Sequence, residues 1–122
     1  MRLLSVYLMV VGFLSLNPWL RPDTRRAVGV ITWDLVDHVA AYGILTILFL
    51  HTVRWRLKKP TMTLILVLAS SVTGVLFEFC QHWFTSTRQF SLLDGAANVL
   101  GAVAGAIIFW SIRSMVRRVR QV

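Results

Sequence analysis

The sequence has one cysteine, Cys80, in 122 residues. A lone thiol excludes a disulfide within the chain and a cysteine-based zinc framework. In its apolar setting Cys80 reads as a small packing residue. Acids are scarce as well: five Asp and Glu stand against thirteen Lys and Arg, for a formal net charge of +8. There is no internal repeat, no low-complexity segment and no linker-like stretch, so residues 1–122 read as a single domain. Neither an HExxH metal motif nor a hydrolase nucleophile motif occurs.

What is present is apolar. The composition is 57% hydrophobic and the mean hydropathy is +0.69, well above a soluble domain. The length suits about four spans of ~20 residues each. The expected fold is therefore all-α: a polytopic membrane protein, a four-transmembrane-helix bundle with helices at about 3–16, 34–53, 61–83 and 92–112. Leu3–Leu16 could serve as the core of a signal peptide, but no small-residue cleavage site follows, and a retained span is the expectation. Within it Ser5, Gly12 and Ser15 make a small packing stripe. Asn17-Pro18 closes that run, and Trp19 and Trp33 bracket the next loop as interfacial residues. Thr32 suits an N-cap for the second helix, with Asp34 in its first turn. Pro60 suits the entry to the third. Arg113, Arg117 and Arg120 fall on one face of a helical extension beyond the fourth.

In a soluble protein a charge of +8 would suggest nucleic acid. Here the basic residues lie between apolar runs and in the tail, so they read as topology signals facing anionic lipid, and no nucleic-acid partner is expected. With the N-terminus inside, nine Lys and Arg fall on cytoplasmic segments and four on outer ones. The bias favours both termini in the cytoplasm. That topology puts all five acids, Asp23, Asp34, Asp37, Glu78 and Asp94, on the extracytoplasmic half, with His38 and His82.

At 100° per residue these groups sort onto faces. Asp34 and His38 are i, i+4, Asp37 is adjacent, and Tyr42 lies one turn deeper. On the third helix Ser71, Gly74, Glu78 and Gln81 or His82 share a small and polar face. On the fourth, Asp94, Asn98, Gly101 and Gly105 fall within ~60° of one another. Lipid cannot satisfy such groups, so the faces should turn toward each other or toward a wet cleft. The candidate catalytic residues are Asp34, Asp37, His38 and Glu78. The candidate ligand-binding residues are Tyr42, Gln81, Arg88, Asp94 and Asn98. Bland roles compete: Asp94 or Ser91 as the cap of the fourth helix, Asn98 bonding across helices, Tyr42 as a core aromatic, and Arg88 pairing with Glu78 and Asp94. Gly101-x-x-x-Gly105, with Ala97 a turn earlier, reads mainly as a close-packing stripe. Glu78 has no ordinary cap or interface role.

The pattern resembles the VanZ-like family of small bacterial membrane proteins. It is carried by Asp37-His38-x-x-x-Tyr42, Glu78-x-x-Gln81, Arg88 and Asp94-x-x-x-Asn98-x-x-Gly101-x-x-x-Gly105, with Asn17-Pro18 closing the first run. The family commonly has Asp-Lys-x-x-His; here Asp34 holds the aspartate place, the lysine is lost, and Asp37 is an additional acid. The founding member is linked to resistance to the glycopeptide teicoplanin, and relatives occur near cell-envelope genes. The resemblance thus implies a multi-pass protein of the bacterial cytoplasmic (inner) membrane with an envelope role.

Three functions follow as expectations. One is a module that binds a lipid-linked envelope precursor or a glycopeptide at an outer polar cleft, in contact with membrane lipids. The second is a membrane-embedded hydrolase or transferase acting on a lipid-linked phosphate or glycan, with Glu78 or the Asp34/His38 pair as base and Arg88 and Asn98 stabilising negative charge. The third is a structural network in a four-helix scaffold, or in a homo-oligomer packed through Gly101/Gly105. No cofactor and no resident metal is predicted, although His38, Asp34, Glu78 and Asp94 would suit an oxygen-loving divalent ion within the enzyme reading.

Overall fold

The computed structural model describes residues 2–16, 33–53, 59–84 and 91–120, without the side chains of Ser15, Leu16, Gln81 and Phe84. Four helices account for nearly all of them: α1 (Arg2–Leu16), α2 (Trp33–Thr52), α3 (Lys59–Phe84) and α4 (Leu92–Val119). Three of these, α2, α3 and α4, are long and apolar enough to cross a membrane. At 15 residues α1 is shorter than the ~20 that a straight crossing needs. Arg88, Thr32, Trp19, Asn17-Pro18 and the outer-loop arginines lie outside the described residues.

Local chemistry explains the ends. Ser91 is the N-cap of α4, and its hydroxyl accepts from the Asp94 N–H at 3.2 Å. Asp94 is thereby left as a first-turn acid that favours the helix dipole rather than as the cap. Pro60 stands in the first turn of α3, where a missing N–H costs nothing. The basic extension continues α4 without a break to Val119, making it 28 residues long.

Contacts fix the directions. Val39 and Gly43 of α2 meet Gly101 and Gly105 of α4 in the same order, so these helices run parallel. The buried Thr46 hydroxyl donates to Ser70 at 2.8 Å, and His38 faces Glu78, so α3 runs antiparallel to α2. Tyr7 donates to the Ala41 carbonyl at 2.7 Å, and Gly12 lies against the Phe77 ring, placing α1 beside the half that holds His38. Among the described residues, Asp34, Asp37, Glu78 and Asp94 therefore gather at one end of α2–α4. Lys59, Arg113, Arg117, Arg118 and Arg120 gather at the other.

The backbones of α2 and α4 touch. A Cβ at Gly101 would run into the Val39 carbonyl, and one at Gly105 into that of Gly43. Both glycines are buried, so the packing stripe is taken up inside one chain. Close approach of this kind is how helices associate where burial of apolar surface supplies no drive. Toward the basic end the interior is apolar, built on Leu50, Met62, Leu66 and Ala106 with Phe49, Val67 and Phe109 against it. Outward faces are apolar too: Leu64, Leu68, Val72, Leu76, Phe79 and Trp83 form an exposed stripe along α3. Polar groups inside and apolar groups outside invert the soluble pattern and match a lipid solvent.

Candidate functional site

Three helices each turn one polar side chain into the acidic half. His38, Glu78 and Asn98 are 6%, 3% and 0% exposed. Helical phase delivers them: His38 lies one turn into α2 from Asp34, and Asn98 one turn into α4 from Asp94. The fit depends on Gly74 of α3, where a Cβ would stand only 2.6 Å from Asn98 Nδ2 and 2.9 Å from Asn98 Cβ. Any larger residue would push the asparagine off its histidine.

The hydrogen bonding sets the tautomer. Asn98 Oδ1 lies 2.8 Å from His38 Nδ1. A carbonyl oxygen only accepts, so Nδ1 carries the proton and Nε2 of the neutral ring carries a lone pair. Nε2 has no hydrogen-bond partner among the described residues. It faces Glu78 Oε1 at 3.6 Å, too far for a hydrogen bond and close enough for an ion pair when the ring is protonated.

Tyr42 stacks on the His38 ring, with centroids 6.3 Å apart and planes 12° from parallel, and is buried. Asp34 and Asp94 are half-buried at the mouth, one turn outward. Asp34, His38 and Asp94 each bring one potential ligand atom within 4.8 Å of the others.

Of the candidates read from sequence, the structure thus brings together Asp34, His38, Tyr42, Glu78, Asp94 and Asn98. Asp37 is exposed: with His38 turned inward, a neighbour 100° away on the same helix points out. His82 is exposed as well. The Gln81 side chain and Arg88 lie outside the described residues.

Phase reasoning missed two polar residues. Ser70, not Ser71, points inward: Ser70 is fully buried against Thr46, whereas Ser71 donates to the Val67 carbonyl of its own helix at 2.9 Å. The signal was available as regular four-residue steps, Ser70-Gly74-Glu78 on α3 and Asp34-His38-Tyr42-Thr46 on α2. A scan of protein-family models and searches of curated proteins and of solved structures found no match to this chain.

Proposed function

We propose that this chain is a VanZ-like multi-pass protein of the bacterial cell envelope. Its acidic end faces outward from the cytoplasmic membrane and takes a polar envelope ligand, a lipid-linked precursor or a glycopeptide. The observation that carries the reading is the burial of His38, Glu78 and Asn98 together, from three helices, in a chain whose outward faces are apolar. Polar groups at that depth are expensive, and a ligand or a proton path is the usual reason for them. The family reading rests on the order and spacing of the motifs, and the outward orientation on the positive-inside bias.

A specific contact favours a second reading, a membrane-embedded hydrolase or transferase on a lipid-linked phosphate or glycan. His38 and Glu78 face each other at 3.6 Å with Asn98 against the ring, a spacing that would have to tighten by about half an ångström to act as a general acid–base couple.

Two measurements test these readings. With Cys80 replaced by serine, a cysteine at position 34 should react in intact cells with a membrane-impermeant maleimide; labelling only after permeabilisation overturns the orientation. In nanodiscs, Asn98→Ala should weaken binding of a polyprenyl-linked precursor or of teicoplanin at least about tenfold, about 1.4 kcal/mol of interaction energy. Turnover of the precursor that His38→Gln abolishes selects the enzyme. No binding of either probe by the wild-type chain rejects the ligand assignment.

A further inference from the structure

We propose that the acidic end is a divalent transition-metal site, with Asp34, His38 and Asp94 as ligands and Mn2+ or Zn2+ as the ion. The inference is independent of which envelope ligand, if any, the protein takes.

Asp34 and Asp94 alone would not carry it. Each sits in the first turn of its helix, where the dipole welcomes an acid without any ion. The parallel packing of α2 and α4 brings these two N-terminal turns side by side, which superposes their negative charges. The independent observation is His38. It is more than nine-tenths buried, its Nδ1 lies 2.8 Å from Asn98 Oδ1, and Nε2, which in the Nδ1–H tautomer keeps its lone pair, has no hydrogen-bond partner among the described residues and faces Glu78 only at 3.6 Å. A ring nitrogen held to an amide oxygen so that the other nitrogen is free to ligate is the arrangement that metal-binding histidines use. Asn98 is then the residue that orients the ligand, and Gly74 the residue that makes room for Asn98.

Distances are compatible with one ion. Three ligand atoms bound at about 2.0–2.2 Å lie at most about 3.8 Å apart when spread evenly around a metal. One His38 ring nitrogen and one carboxylate oxygen each from Asp34 and Asp94 lie within 4.8 Å of one another, so side-chain closure by up to about 1 Å completes the set. One imidazole with two carboxylates favours Mn2+ or Zn2+ over Mg2+ and Ca2+, which prefer all-oxygen surroundings. The half-buried carboxylates at the mouth provide the entry path, and an ion there converts an anion-repelling end into one that attracts phosphate or carboxylate.

The test uses the full chain in nanodiscs, stripped with EDTA and titrated with Mn2+ and Zn2+. Calorimetry and elemental analysis should find about one ion per chain. Asp34→Asn together with Asp94→Asn should weaken binding at least 100-fold, and Asn98→Ala by about 10- to 100-fold, the usual cost of losing an orienting partner. Asp37→Asn, on the exposed side, should leave it unchanged. Pulsed EPR of Mn2+ on the wild-type chain should show nitrogen coupling from one imidazole, a readout that needs no variant to fold. Absence of binding, binding unchanged in the Asp34/Asp94 double variant, or bound Mn2+ without nitrogen coupling would each overturn the proposal.

Discussion

The two halves of the α2–α4 bundle solve the same packing problem with different materials. Toward the basic end, Leu50, Met62, Leu66 and Ala106 fill the interior, and Trp110 reaches across to donate to Thr63 at 3.0 Å. Toward the acidic end, the corresponding interior holds His38, Glu78 and Asn98 around Gly74. In lipid the apolar half costs little to form and is replaceable by other apolar residues of similar volume. In the polar half each unmatched group is costly, because it has no water to turn to, as with His38 Nε2, which is without a hydrogen-bond partner among the described residues. The comparison teaches that the apolar half holds the helices by packing, while the polar half concentrates buried hydrogen-bonding groups at a cost in stability that packing alone would not demand.

The largest effect should come from the seam that both halves share. Gly105→Val drives a side chain into the Gly43 backbone, which cannot yield as a side-chain tip can. It should cost more than about 3 kcal/mol, seen as loss of the monodisperse peak in detergent size-exclusion chromatography. A well-folded Gly105→Val protein would mean that α2 and α4 do not meet as described. Next, Leu50→Ala should cost about 2 kcal/mol, the low end for a buried leucine, since lipid removes the transfer part and leaves the cavity part. It should lower the midpoint of thermal unfolding and leave metal affinity alone. A fall in both would break the division between the halves.

Asn98→Ala sharpens the same division from the other side. It leaves the buried His38 Nδ1–H without its acceptor and should cost about 1–2 kcal/mol, visible as a lower thermal midpoint, together with the loss of ion affinity. Gly74→Ala should reproduce that loss of affinity with Asn98 intact, because the new Cβ displaces the amide. The smallest effect belongs to Thr46→Val, midway along the bundle. Removing its bond to Ser70 should cost about 0.6 kcal/mol, the average for a hydrogen bond between membrane helices, and leave ion binding unchanged.

Much of the frame was legible in the chain. Apolar runs and their polar breaks located four helices to within two residues at most ends, and narrowed the cap of the fourth to Ser91 or Asp94, of which the structure has Ser91. The basic tail read as a helical extension and is one, through Val119. The separation of acids from bases along the helices was also open to counting. The candidate site was legible only to the nearest face. A 100° step assigns a residue to a side of a helix but leaves the rotation of that helix uncertain by a fraction of a step, which was enough to put Ser71 where Ser70 belongs and to leave Asp37 beside His38 as an equal.

The sequence by itself determined that this is an all-helical chain with apolar outward faces, and that its costly polar residues cluster toward one end. Hydropathy and charge order are local properties, so they survive without knowledge of contacts. The tertiary structure alone decided which of those residues meet. Gly101 and Gly105 let the α4 backbone touch Val39 and Gly43, and that contact fixes the rotation of both helices. From that rotation follow the His38–Asn98 bond, the approach of Glu78, the pairing of Asp34 with Asp94 at the mouth, and the exclusion of Asp37.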